Sequence, residues 1–104
     1  MNKILIVEDD TLLNRTLAYN LTSEGYAVES AYNYKEAVKY LKETEYDIAL
    51  LDINLPDGNG LNLCEEIRGR GQHTYIIFIT ANDNLSCFCG YEEKNDILYI
   101  LISN

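Results

Sequence analysis

The sequence has no apolar run that approaches the roughly 20 residues of a membrane-spanning helix. It also has no pattern typical of a secretory signal at its start. Basic residues are scarce, with 8 against 17 acidic residues and a net charge of −9, and such a surface repels the phosphate backbones of nucleic acids. A chain of 104 residues has the size of one domain. We therefore expect a single cytoplasmic domain with no membrane segment and no direct contact with nucleic acid.

Thiols and imidazoles, which are the usual ligands of structural zinc, are also few. The three cysteines are Cys64, Cys87 and Cys89, and the only histidine is His73. Three is an odd number, and the last two cysteines are too close together for an ordinary mutual disulfide, which indicates reduced thiols in a reducing compartment. Because no second cysteine pair accompanies Cys87 and Cys89, we interpret the thiols as structural or incidental.

Short apolar runs alternate with segments of helical periodicity along the chain. This alternation predicts a parallel sheet with helices on both faces, because parallel neighbours need crossover connections. The expected architecture is a doubly wound α/β fold. Strands are predicted at residues 3–7, 26–30, 47–51, 75–79 and 97–102, and helices at residues 13–21, 33–41, 61–67 and 84–94.

Local signals add detail to this pattern. Asn33 followed by Glu36 resembles a capping box and predicts the start of the second helix. Leu61, Cys64 and Ile67 recur on one side of the third helix and predict its buried face. Turn-forming residues predict a loop at residues 54–60.

Polar residues follow three of the predicted strands where the apolar runs end. Glu8, Asp9 and Asp10 follow the first run, Asp52 follows the third and Thr80 ends the fourth. The carboxyl ends of parallel strands share one edge, where ligands bind, and the first and third strands of such a sheet are neighbours. Asp9 and Asp52 should therefore lie within a few ångströms of each other. Their mutual repulsion favours a divalent cation such as Mg²⁺, which prefers carboxylate oxygens and phosphate.

This grouping suits phosphoryl transfer. An ionised carboxylate is a nucleophile that needs no general base, so Asp52 can accept a phosphoryl group that a metal aligns. The Thr80 hydroxyl and the Ala81 amide can then hydrogen-bond a phosphoryl oxygen. The alternative is that the acids only cap the following helices. That interpretation suits Asp10 or Thr11, but it suits Asp52 less because the next helix begins several residues later.

Three segments resemble the receiver domain of bacterial two-component response regulators. They are ILIVEDD at residues 4–10, LLDINLPDGNGL at residues 50–61 and IIFITAND at residues 76–83, in the order and at the separations usual in that family. The resemblance implies a flavodoxin-like, five-stranded parallel sheet in the order 2-1-3-4-5. It also implies phosphorelay signalling: a sensor histidine kinase docks beside the first helix, around residues 13–18, and transfers a phosphoryl group to the domain.

The resemblance also implies roles for individual residues. Asp52 resembles the phosphoacceptor, and Asp9 and Glu8 resemble ligands of Mg²⁺, for which Mn²⁺ can substitute. The domain is then a signalling protein rather than an enzyme, with at most weak autophosphatase activity. The other implied roles are the backbone carbonyl of Asn54 as a further metal ligand, Pro56 and Gly60 as loop-shaping residues, Thr80 and the Ala81 amide as phosphoryl-binding groups, and Tyr99 as the switch aromatic.

The resemblance weakens beyond residue 83. The position of the family's lysine holds Ile102, which cannot pair with a phosphoryl group, and the sequence ends at Asn104. Truncation, an altered reading frame and natural divergence all fit this ending. We expect one receiver domain over residues 1–104 that lacks the fifth helix and any output domain, the output being typically transcription. Exposure of Tyr99 and Leu101 would then favour a homodimer.

Other functions are compatible with parts of the pattern. Loss of the lysine favours a phosphorylation-independent interaction module. A Mg²⁺-dependent phosphohydrolase of the haloacid-dehalogenase type would have an acid at the position of Asn54, and it would need a cap domain to cover its substrate. A flavodoxin-like cofactor binder would need a phosphate-binding loop after the first strand, where Glu8, Asp9 and Asp10 repel phosphate.

Overall fold

The computed structural model describes residues 2–71, 73–80, 91–92 and 97–101, with only the backbone described at residues 80, 91–92 and 97–101. No helix within these ranges is long and apolar enough to cross a bilayer. In chain order the elements are β1 (Lys3–Val7), α1 (Thr11–Ser23), β2 (Ala27–Ala31), α2 (Tyr34–Glu43), β3 (Ile48–Leu51), β4 (Asn54–Leu55), β5 (Gly58–Asn59), α3 (Gly60–Gly69), β6 (Tyr75–Thr80), β7 (Tyr91–Glu92) and β8 (Ile97–Leu101).

Five of the strands form a parallel sheet in the order β2-β1-β3-β6-β8. Among the parallel strands this is the predicted order 2-1-3-4-5, so the doubly wound α/β prediction is confirmed. The predicted strand ends differ from the observed ones by one residue at most. The register pairs Val7 with Leu51 and Leu51 with Phe78, so the carboxyl ends of β1, β3 and β6 lie along one edge.

Residues 54–60 differ from the predicted loop. They contain an antiparallel hairpin, in which β4 pairs with β5 across a two-residue turn at Pro56 and Asp57. The turn chemistry was expected, but a periodicity of two cannot be recognised in strands of only two residues. The hairpin holds the chain close to the end of β3 before α3 begins.

The last described elements also differ from the prediction. Tyr91–Glu92, inside the helix predicted at residues 84–94, form β7, which pairs antiparallel with β8. At these two residues the helix prediction is wrong, because the edge of β8 offers backbone groups that pairing satisfies. The rest of that segment lies outside the described residues, as do Ala81, Ile102 and the chain end.

The central strands β1 and β3 are buried on both faces of the sheet, as expected for continuous apolar strands. Leu5 and Val7 of β1 face a core built with α2 and α3, while Ile4 and Ile6 face a second core against α1. All four side chains are at most 2% exposed. Alternate residues of one strand thus anchor helices on opposite faces, and this fixes the strand ends that carry the polar residues.

The buried face of α3 differs from the predicted stripe. Ile67 is fully buried as predicted, but Leu61 and Cys64 are only half-buried, and Leu63 is fully buried instead. The helix begins at Gly60, and its buried positions are Gly60, Leu63 and Ile67, spaced three and four residues apart. Leu61 and Cys64 still pack against the same core as Ile67, so the predicted side of the helix is confirmed in part, and its most buried positions include Leu63.

Each of α1, α2 and α3 begins with a side-chain cap. The capping residues are Asp10, Asn33 and Asn59. The predicted box at α2 is confirmed in part: Asn33 accepts from the Glu36 amide at 2.8 Å, but the Glu36 carboxylate accepts from the amide of Tyr32, also at 2.8 Å, rather than from Asn33. Amides in the first turn of a helix lack partners within the helix, so these caps fix where each loop enters its helix.

Candidate metal and phosphoacceptor site

Three carboxylates meet at the carboxyl edge of the sheet. Glu8 and Asp9 directly follow β1, and Asp52 directly follows β3. Carboxylate oxygens of the three side chains lie within 4.8 Å of one another. The cause is the parallel register, which continues one residue past the strands because the Asp52 amide donates to the Val7 carbonyl at 2.8 Å. The predicted proximity of Asp9 and Asp52 is observed.

Glu8 is the most buried acid of the three, with 8% of its surface exposed. Burial raises the pKa of Glu8 to about 8, a shift that the Asp10 amide opposes and the neighbouring Asp52 carboxyl reinforces. The Asp10 amide donates to Oε2 of Glu8 at 3.1 Å. A carboxyl in this position holds a proton near neutral pH unless a cation compensates its charge.

Asp52 is half-buried beside Glu8 and Asp9. Burial raises the pKa of Asp52, while hydrogen bonds from Glu8 and the Asn54 amide oppose the shift. The Asn54 amide donates to Oδ1 of Asp52 at 3.2 Å, which orients the carboxylate. All the acidic side chains of this group offer oxygen ligands, the donor type that Mg²⁺ prefers, and a divalent cation would favour their ionised forms. The residues present therefore fit a Mg²⁺ ion.

Asn14 supports the site and was missed by the sequence analysis. Its side chain is fully buried on α1 and donates to the backbone carbonyls of Glu8, at 2.9 Å, and Ala31, at 3.2 Å. This contact ties α1 to the ends of β1 and β2. A detectable signal existed, because Asn14 lies three residues before Leu17 and seven before Leu21, on the apolar stripe of the helix.

The segment after Asp52 is shaped by close backbone contacts. The Gly60 amide donates to the Ile53 carbonyl at 2.8 Å, and a β-carbon at Gly60 would overlap the carbonyl oxygen of Asp52. Asn54 pairs with Asn59 in the hairpin, and Pro56 lies exposed in its turn. Only glycine permits the chain to return so close to the acid.

Asp57 is a second residue that sequence analysis missed. Its carboxylate accepts from the amide of Tyr34 at 2.6 Å and from the amide of Lys35 at 3.1 Å. These bonds lower the pKa of Asp57, the Tyr34 amide having the largest effect. The turn of the hairpin is therefore bound to the first turn of α2. No local sequence signal indicates a cap that comes from 22 or 23 residues away.

The remaining predicted residues are placed only by the backbone. Thr80 is the last residue of β6, two residues beyond Phe78, so its backbone lies at the same edge as Asp52. Tyr99 of β8 is paired with Phe78 in the sheet. Ala81 and Ile102 lie outside the described residues. The described structure thus brings Glu8, Asp9, Asp52 and Asn54 together and places Thr80 on the edge that they share.

The fold and the site together define a receiver-type signalling domain. The family model for the response regulator receiver domain matches residues 4–93. The chain therefore belongs to the response regulator receiver domain family, and it is a signalling domain of two-component systems.

Two curated relatives illustrate the similarity. The response regulator ArlR of Staphylococcus saprophyticus is 43% identical over 84 residues, which cover 81% of this chain and 38% of ArlR. Protein RcaC of Microchaete diplosiphon is 39% identical over 84 residues, which cover 81% of this chain and 13% of RcaC. The chain thus matches well under half the length of either relative.

Solved structures agree with this family. The response regulator TrrA of Thermotoga maritima, in complex with Mg²⁺ and BeF, has a TM-score of 0.81 and 31% identity, over 99% of this chain and 88% of that one. TrrA in complex with the histidine kinase ThkA gives a TM-score of 0.79 at 31% identity, over 99% of this chain and 87% of that one.

Proposed function

We propose that this domain accepts a phosphoryl group on Asp52 in the presence of Mg²⁺. The observation that carries the proposal is the meeting of the Glu8, Asp9 and Asp52 carboxylates within 4.8 Å at the edge of the sheet. Glu8, Asp9 and Asp52 would hold the ion together with the backbone carbonyl of Asn54. The Mg²⁺–BeF complex of TrrA supports this reading, and Mn²⁺ should substitute.

The phosphoryl donor is a phosphohistidine of a sensor histidine kinase. A carboxylate oxygen of Asp52 attacks phosphorus, the P–N bond of the donor breaks, and the bond between Asp52 and phosphorus forms as an acyl phosphate. The histidine nitrogen keeps the electron pair of the broken bond. The Asn54 amide holds the carboxylate through Oδ1 during attack. When bound, Mg²⁺ neutralises charge on the phosphoryl oxygens.

Thr80 of β6 and Tyr99 of β8 belong to the groups that would sense the phosphoryl group. The Thr80 hydroxyl and the Ala81 amide bind a phosphoryl oxygen, and Tyr99 serves as the switch aromatic. Pro56 and Gly60 shape the loop. Ile102 stands where the family has a lysine, and an isoleucine offers no charge-assisted hydrogen bond.

The exposed face of α1 is the proposed docking site for the kinase. Leu12 and Tyr19 are 76% and 75% exposed, and Arg15 is also exposed. Spacings of three and four residues put the three side chains on one face of the helix, which begins two residues after Asp9. The predicted docking segment, residues 13–18, contributes Arg15 to this face, whereas Asn14 in the same segment is buried. The solved complex of TrrA with its kinase ThkA supports a partner of this class.

The finer assignments follow from the same reading. We propose a single receiver unit in the cytoplasm, in line with cysteines expected to be reduced, with at most weak autophosphatase activity. The net charge of −9 argues against direct nucleic-acid binding. A homodimer through β8 and an output in transcription are further parts of the proposal.

Intact-mass measurement tests the central step. The chain is incubated with acetyl phosphate and Mg²⁺, and we expect the mass of one added phosphoryl group in the native chain and none in Asp52→Asn. Asp9→Ala should lose Mg²⁺ binding in a calorimetric titration. An unmodified native chain that still binds a kinase would favour the phosphorylation-independent module. Turnover of a small phosphate ester would favour the phosphohydrolase.

A further inference from the structure

Asp57 makes a long-range contact that the phosphoacceptor chemistry does not itself require. Its two carboxylate oxygens accept separately from the amides of Tyr34 and Lys35, at 2.6 and 3.1 Å. Both amides belong to the first turn of α2, where no acceptor exists within the helix. A carboxylate at this end of a helix also interacts favourably with the helix dipole. The turn of the hairpin is thus held by two charge-assisted hydrogen bonds.

The hairpin packs closely against α2 beside the Asp57 contact. Gly58 follows Asp57, and a β-carbon at Gly58 would lie 2.7 Å from Cδ2 of the Tyr34 ring. Any side chain at Gly58 would therefore push the turn away from α2. The absence of a side chain allows the hairpin to lie directly against Tyr34, which lets the Asp57 carboxylate reach the two amides.

Helix α2 does not need Asp57 in order to begin. Asn33 already caps it through the Glu36 amide, and Glu36 accepts from the Tyr32 amide. The Asp57 contact therefore has its main consequence for the hairpin. At one end the hairpin is held at the acid, through the bond from the Asn54 amide to Asp52, and at its turn it is held by α2.

We propose that Asp57 is a positioning residue that anchors the hairpin to α2 and thereby sets the Asn54 carbonyl for Mg²⁺. This inference rests on the proposed function, since it takes Asn54 as a metal ligand. Energetic linkage between two sites is reciprocal. Metal binding at the acidic site therefore tightens the contact of Asp57 with the amides of Tyr34 and Lys35, and α2 senses whether the site is loaded.

The test compares two caps of the same helix. Mg²⁺ affinity is measured by calorimetric titration for the native chain, Asp57→Ala, Asp57→Asn and Asn33→Ala. We expect Asp57→Ala to raise the Mg²⁺ Kd about tenfold, a usual effect of removing a group that orients a metal ligand. Asp57→Asn keeps one oxygen acceptor and should raise the Kd less. Asn33→Ala removes a cap of α2 without touching the hairpin, and its Kd should stay near the native value.

Amide hydrogen exchange supplies a readout that a merely structural role would not move. In the native chain Mg²⁺ should slow exchange at the Tyr34 and Lys35 amides, and in Asp57→Ala it should not. A native Kd in Asp57→Ala, or an equal rise in Asn33→Ala, overturns the inference. If Asp57→Ala fails to fold, a native Kd in Asp57→Asn overturns it. A native chain that binds no Mg²⁺ overturns the proposed function as well.

Discussion

The metal-free domain should lose stability as the pH rises through neutrality. Burial raises the pKa of Glu8 from its ordinary value of 4.5 to about 8. Between these values the folded chain holds a proton that the unfolded chain has released. A raised pKa gives stability that is fully present below the unfolded value and is lost as the pH rises through the folded value. The free energy of unfolding should therefore fall with pH across this window.

The size of the effect follows from one proton. A difference of one bound proton changes the free energy of unfolding by about 1.4 kcal/mol per pH unit. Two pH units within the window thus change the free energy of unfolding by about 3 kcal/mol. For a domain of this size, each kcal/mol shifts Tm by about 4–8 °C. Mg²⁺ must displace the same proton, so its affinity should rise up to about tenfold per pH unit in this range.

Thermal unfolding in chelator at about pH 5.5, 6.5 and 7.5 measures this dependence. Saturating Mg²⁺ should flatten it, and Glu8→Gln should remove most of it. His73→Gln is the matched control, because it removes the only histidine of the sequence. A metal-free Tm that stays constant across the range, or a Glu8→Gln variant with the native slope, would refute the reasoning.

Three other predictions concern packing, switching and docking. Leu63→Ala should lower the free energy of unfolding, measured in urea, by about 2–5 kcal/mol because Leu63 is fully buried. Leu61 is only half-buried, so Leu61→Ala should lower it clearly less. Equal losses would contradict the observed buried face of α3. Ile102→Lys should increase the protection from amide exchange that beryllofluoride and Mg²⁺ induce across residues 84–102. The new lysine could form a charge-assisted hydrogen bond with the phosphoryl mimic, which is worth about 1.5–3 kcal/mol. Unchanged protection would show that the lysine position does not limit switching. Arg15→Glu should slow phosphoryl transfer from a cognate kinase but not from acetyl phosphate, and an equal loss with both donors would place the defect at the acid.

The sheet could be predicted because its strands carry their own signal. β1 and β3 are continuous apolar runs, and burial on both faces leaves no other arrangement for residues such as Ile4 and Leu5. The acids at the ends of β1 and β3 followed from the order of the strands. These predictions needed only local pattern and general topology.

The features that were missed depend on contacts between distant residues. Asp57 reads as an ordinary turn residue until the fold brings it to the amides of α2. Leu63 was missed on α3 because apolar residues occur on more than one side of that helix, and its burial is decided by packing in the core. Tyr91 and Glu92 pair with β8, and a strand of only two residues has no periodicity that a local pattern could identify. Tertiary packing decides such cases.

The backbone of Asp52, the proposed acceptor, is hydrogen-bonded to the end of the sheet. The amide of Asp52 donates to Val7, and the amide of Glu8 donates to Ala31, so both acids stand one step beyond the last rungs of their ladders. These hydrogen bonds restrain both backbones, so we expect them to move little when a charge is added to one of the acids. The phosphoryl group would thus be added at a residue whose backbone is held by the sheet. We therefore expect the conformational response to phosphorylation to come from groups that move towards Asp52, rather than from Asp52 itself.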